Sequence, residues 1–318
     1  MKKPHPFRFG CINEQMKPAK AWREHVRRIE ALGYDILLMR DHFVPDVFGD
    51  TFGPIAALMS AADATSTLRV GSMVICNDFR HPTVLAKEAA TIDFLSEGRF
   101  ELGLGAGWMR DEYERMGLEL DQPSLRIKRL EESVQVIRGL TAAGPFSHQG
   151  EYYSIRELDG FPKPVQRYIP IMVGGGNRKI LNLAGREADI VGILLTNVAS
   201  GVIINDPLGR SSESVLQKLE WVREGAGERF DEIELNSAID VVVTDNRLSA
   251  TEEFIAQRGW KGVTVEQVWD MPSVFIGPRE FIMEEMYVRR EKFGFSYYWV
   301  ADKQMEEFAP LVQELSGK

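Results

Sequence analysis

Phe100-Glu-Leu-Gly-Leu-Gly-Ala-Gly-Trp108 is a strand-like apolar run that thins to alternate glycines and ends on a tryptophan. Glycines at alternate positions let a second backbone or a flat ligand come very close. A dinucleotide fingerprint, G-x-G-x-x-G, fails at this point. Gly103 and Gly105 fit it, but position 108 is Trp, and the polar turn Met109-Arg-Asp-Glu112 stands where a helix should begin at once. The surrounding pattern has to explain the stretch.

Outward from it, the chain alternates short apolar runs with amphipathic segments. Before it come strands predicted at 7–12, 34–39 and 68–76, separated by helices at 20–32, 54–64 and 82–96. Gly33 closes the first helix and Pro82 opens the third. After it comes a helix at 125–140, then an interruption with a small hairpin around 148–153. Strands follow at 169–173, 188–194, 233–243 and 295–300, with helices at 178–186, 214–225, 250–257, 279–293 and 304–315. Residues 196–212 read as a loop. Near-continuous apolar strands fit a parallel sheet covered on both faces. Eight strands, each followed by a helical pattern, in 318 residues predict an α/β fold. It is a single (β/α)8 TIM barrel over 1–318 with insertions after strands 4, 6 and 7. Two open doubly wound sheets are disfavoured, because no linker or composition shift divides the chain.

Composition narrows the function. A net charge of −9 argues against nucleic acid or an acidic membrane surface as partner. Two cysteines, Cys11 and Cys76, sit far apart in apolar runs, which excludes a disulfide framework and points to a reducing, cytoplasmic setting. The N-terminus has basic residues without an apolar core, so no secretory signal is expected, and no apolar run is long enough to span a membrane. Five scattered histidines have no metal-ligand spacing, and no metal is expected.

In a (β/α)8 barrel the chemistry sits at the C-terminal ends of the strands. Asp41-His42 follows strand two, and imidazole suits proton transfer near neutral pH. A capping polar pair is the alternative for these two. Gly174-Gly175-Gly176-Asn177 before a helix is a candidate phosphate cradle; a tight turn is its alternative. Gly103 to Trp108 becomes a strand that lies under something flat, with Trp108 either stacking on a ring or plugging the mouth. Asn77 and Asp78 are candidate caps, Arg80 reads as an ordinary loop residue, and Lys128-Arg129 with Glu131-Glu132 as a solvated helix face.

The ordered set RDHF (40–43), NDFRHP (77–82), GRFELGLGAGW (98–108), PKPVQ (162–166) with IPIMVGGG (169–176), and READIVGI (186–193) resembles the bacterial-luciferase-like oxidoreductases, most of all their deazaflavin branch, which uses coenzyme F420. The resemblance implies a barrel holding F420, or alternatively FMN, at its C-terminal mouth. It implies Asp41 as a cofactor contact and His42 as proton donor. It places a non-prolyl cis peptide at Met73-Val74, a bulge behind the ring. Asn77, Gly105, Gly107 and Trp108 fall along the ring pocket, and Gly174, Gly175 and Gly176 at the phosphate turn. Two positions depart from the family pattern. Arg40 stands before Asp-His, with an anionic substrate, the cofactor tail or Asp41 as its candidate partners. Trp108 stands where sugar-phosphate dehydrogenases of the family place a catalytic carboxylate.

The expected function is therefore hydride transfer between F420 C5 and a small organic molecule. The alternatives are an FMN-dependent monooxygenase using O2 and a partner reductase, and a non-catalytic flavin-binding subunit. A homodimer is expected by family habit. Residues 196–212 and 260–275 are expected to shape the substrate pocket.

Overall fold

The computed structural model describes residues 4–45, 49–199 and 201–318. Residues 1–3 of the N-terminal segment read above, 46–48 before the second helix and 200 in the 196–212 loop lie outside the described residues.

Eight parallel strands close on themselves: β1 (Arg8–Ile12), β2 (Ile36–Met39), β3 (Arg69–Ser72), β4 (Phe100–Gly105), β5 (Ile171–Gly175), β6 (Ile190–Ile193), β7 (Glu234–Ala238) and β8 (Phe295–Ala301). Each pairs with its sequence neighbours, and β8 returns to β1 with Arg8 opposite Tyr297, which makes the (β/α)8 barrel. Eleven helices are described: α1 (Ala19–Ala31), α2 (Pro54–Ala64), α3 (Pro82–Leu95), α4 (Arg110–Met116), α5 (Pro123–Thr141), α6 (Arg178–Glu187), α7 (Ser212–Ala226), α8 (Arg247–Arg258), α9 (Val265–Trp269), α10 (Arg279–Phe293) and α11 (Met305–Leu315). Proline at the first turn starts α2, α3 and α5, where its missing N–H costs nothing. None of the described helices is long and apolar enough to cross a membrane.

Both faces of the strands are buried, so their sequences run apolar without alternation. Phe9, Leu37, Val70, Leu102, Leu104, Val173, Val191 and Leu235 join the core under the helices. The intervening positions Ile12, Ile36, Leu38, Met172, Ile190 and Tyr297 form a separate cluster inside the barrel, with Val74 and Trp299 packed against it. Strand period two therefore assigns Arg40, Gly105, Gly174, Gly192 and Asn236 to the barrel interior.

Four expectations change. The strand predicted at 68–76 is two pieces: β3 stops at Ser72, the Met73-Val74 peptide is cis, and Ile75–Cys76 pairs again with β4. The strand predicted at 233–243 also divides, because Asp240–Val243 leaves the barrel to pair with Val274–Gly277 in a two-stranded sheet. Residues 196–212 contain a short antiparallel pair, Asn197–Ala199 with Val202–Ile204. The polar turn after Trp108 begins a helix, α4. The hairpin expected near 148–153 is Phe146–Gln149 with Ser154–Leu158.

Candidate active site

Asp41 and His42 leave the end of β2 on different errands. Asp41 is buried and accepts from Arg80 Nη1 at 2.5 Å, Arg80 Nη2 at 3.3 Å and the Cys76 N–H at 3.2 Å. It is thus the clamp that ties β2 to the segment after the Met73-Val74 break. Arg80 is therefore no ordinary loop residue; its guanidinium makes a forked, charge-assisted pair with Asp41. Of the candidate partners of Arg40, Asp41 is held by Arg80 instead; Arg40 Nη1 donates to Glu14 at 2.9 Å and its guanidinium lies 5.6 Å from the Trp299 ring centroid.

His42 Nδ1 lies 3.1 Å from Glu112 Oε2, and its ring meets Trp108 edge-on with centroids 6.0 Å apart. Glu112 sits on α4, is 2 % exposed, and also accepts the Phe43 N–H. Burial pushes its carboxyl up, but the hydrogen bonds from His42, Phe43 and Val44 outweigh that and hold it below the usual carboxylate range. An ionised Glu112 makes Nδ1 the donor, so proton exchange falls to Nε2. Sequence reasoning passed over Glu112 because it lies in a run of charged residues that reads as a surface turn.

The glycines of the opening stretch serve the protein's own packing. A β-carbon at Gly103 would collide with the Ser72 carbonyl, and Ser72 Oγ bridges the Gly103 N–H (2.8 Å) and C=O (2.9 Å). One at Gly105 would lie 2.6 Å from Val74 Cγ2. Gly107 has φ +72°, its β-carbon would strike the Tyr113 hydroxyl, and buried Arg126 donates to the Ala106 and Gly107 carbonyls. The strand thins to admit the Met73-Val74 bulge and α4.

The triple glycine divides as well. Side chains at Gly175 and Gly176 would run into Ile180 and into Leu194, whose oxygen is 3.0 Å from the Gly176 position. A methyl at Gly174 meets only ordinary contact, 3.4 Å from Val74 Cγ1, and one at Gly192 likewise, 3.4 Å from Gly174 Cα. Gly174 and Gly192 thus have room for a methyl on the inward face of the strands, beside Val74. Asn177 caps α6 by accepting the Ile180 N–H at 3.3 Å. Asn77, buried under the mouth, has an Nδ2 without a hydrogen-bond partner. Inward positions held to glycine, with the Met73-Val74 bulge beside them, fit a planar cofactor at this end of the barrel. Arg129 is not part of a solvated face; it donates to Asp78 and Asp121 at 2.9 Å each, and Glu132 holds the 151–153 backbone.

The model of the luciferase-like monooxygenases matches residues 5–282, and the chain belongs to that family. Among curated relatives, an F420-dependent glucose-6-phosphate dehydrogenase of Amycolatopsis mediterranei is 31% identical over 52% of this chain and 50% of its own, so the chain spans about half the length of that relative. The protein of the same name from Nakamurella multipartita is 29% identical over 79% of this chain and 72% of its own. An F420-dependent secondary alcohol dehydrogenase, solved with an F420–acetone adduct, shares the fold with a TM-score of 0.74 over 98% of this chain and 99% of that one, at 18% identity.

Proposed function

We propose that this protein is an F420-dependent oxidoreductase acting on a small organic substrate. The observation that carries the reading is the His42–Glu112 pair at the C-terminal end of the barrel, where Met73, Val74 and Gly174 stay partly exposed. The F420-dependent relatives support the same cofactor. When bound, the deazaflavin supplies a hydride donor or acceptor at C5. The Met73-Val74 bulge and the Gly174 backbone would hold the ring, and the helix start at Asn177 with Gly175 and Gly176 would face the phosphate. Asp41, clamped by Arg80, fixes the end of β2. His42 Nε2 gives or takes the proton that accompanies hydride transfer, with Nδ1 anchored on Glu112. Trp108 packs edge-on against the His42 ring.

The test is a parallel fluorescence titration of the apoprotein with F420 and with FMN. Preference for F420 is expected. Preference for FMN would instead support the monooxygenase reading, since a deazaflavin, with carbon in place of nitrogen at position five, does not activate oxygen as a flavin does. With F420 bound, His42→Ala is expected to lower turnover roughly 100-fold while affinity stays nearly unchanged.

A further inference from the structure

One buried cation has no part in the chemistry above. Lys218, on α7, is 3 % exposed. Lysine is almost never buried to this degree unless it is paired. Its Nζ donates to two backbone oxygens, Leu194 O at 2.9 Å and Gly209 O at 3.2 Å. Burial first, and Arg210 after it, pull its pKa down to about 8 against the opposing pull of Asp206. At neutral pH it is still the charged form, with three N–H donors. The fold keeps a cation here at a cost, and its two acceptors define what it holds.

Those acceptors are the two feet of one excursion. Leu194 directly follows β6, and Gly209 comes shortly before α7. Between them the chain runs out and back as the antiparallel pair Asn197–Ala199 and Val202–Ile204. At the turn, Gly201 has φ +84°. A β-carbon there would lie 2.7 Å from Arg110 Cβ, 2.9 Å from Arg110 N and 3.1 Å from Trp108 O. The excursion thus reaches from β6, beyond β5, to the start of α4. Trp108 is the residue whose ring meets His42 edge-on, and α4 carries Glu112. After the hairpin the chain is fastened again: Asn205 Nδ2 donates to Arg258 O at 2.9 Å, and Asn205 Oδ1 accepts from Trp260 Nε1 at 2.8 Å.

We propose that Lys218 is a positioning residue: by closing the base of this excursion it holds the Gly201 turn on the Trp108 backbone, and so keeps the Trp108 ring against His42. Its consequence for turnover rests on the role given to His42 above, whereas the contacts themselves belong to the protein alone. A lysine that only occupied space in the fold could be replaced by an apolar side chain of similar length with no effect at Trp108.

The experiment labels the apoprotein with fluorotryptophan and follows the fluorine resonances, that of Trp108 being assigned by its loss in Trp108→Phe. Lys218→Met is expected to shift or broaden the Trp108 resonance and to leave that of Trp22, on α1, in place. Lys218→Arg, which keeps the charge and the donors, is expected to stay closer to wild type than Lys218→Met; the reverse order counts against the proposal. Gly201→Ala, which forces the turn off Arg110, is expected to move the same resonance, and it carries the test if Lys218→Met does not fold. An unmoved Trp108 resonance in folded Lys218→Met overturns the proposal. A shift of all six tryptophan resonances together also overturns it, by assigning Lys218 to the fold as a whole, and loss of folding in both variants does the same. Full turnover in His42→Ala would instead defeat the catalytic reading of His42 and leave the response of Trp108 to Lys218 standing.

Discussion

At the N-terminal end of the barrel, the inward positions carry Arg8, Arg69, Glu101, Glu234 and Tyr297. At the C-terminal end, β5 and β6 carry Gly174 and Gly192 at inward positions, with Arg40, Asn236 and Trp299 on the strands around them. Below, the space is filled and its charges are paired: Arg8 donates to Glu101 and, at 2.7 Å, to Glu234, Arg69 donates to Glu101 at 2.7 Å, and Arg8 lies over the Tyr297 ring. Above, side chains are withheld where the protein itself has room for them. The lower end is thus a plug that sets stability, and the upper end carries the proposed site. Substitutions at the two ends should separate the two properties.

The largest effect is expected at the plug. Arg8→Met leaves two buried carboxylates without their shared cation and should cost about 3–5 kcal/mol in urea unfolding. F420 affinity in the folded fraction should be unchanged; a matching loss of affinity would mean that the ends are coupled. Gly107→Val comes next. Its positive φ and the Tyr113 hydroxyl make this a folding defect of about 2 kcal/mol or more, read as a lower urea midpoint. A stable variant that had lost only F420 binding would return Gly107 to the cofactor pocket. Glu112→Gln keeps the shape of the site but weakens the anchor on His42. Turnover should fall roughly tenfold, with a shifted pH–rate profile and little change in F420 affinity.

The smallest effect is a pH dependence at the plug. Burial first, and Glu101 nearby, push Glu234 up to about 7 against the pull of Arg8. A folded-state value above the unfolded one means that the native protein holds this proton more tightly. The contribution is present below the ordinary glutamate range and is lost as pH rises toward 7. Stability should therefore decline with a slope of less than one proton over that window, and Glu234→Gln should flatten it.

Much of this division was legible in the residues, because apolar runs, prolines and terminal glycines mark strands and helix ends locally. All eight barrel strands have a sequence counterpart. What escaped detection depends on contacts between distant segments. Asp240–Val243 continues the apolar run of β7, and only its partner Val274–Gly277 shows that it has left the barrel. Arg80 becomes a clamp only when Asp41, 39 residues earlier, is brought to it. Glu112 looks like its charged neighbours until α4 folds over His42. The glycines mislead for the same reason. Gly103, Gly105 and Gly107 stand out in the sequence yet leave no room for a side chain, whereas Gly192, inside READIVGI, draws no notice and would accept a methyl at ordinary contact distances.

The claim that the upper end seats a planar cofactor is tested most directly by adding side-chain bulk to it. In the double variant Gly174→Ala, Gly192→Ala, both methyls have ordinary contact distances in the apoprotein. Its melting temperature should equal or slightly exceed that of wild type, while its dissociation constant for F420 rises at least about tenfold. A folded double variant that binds F420 as tightly as wild type would contradict the account.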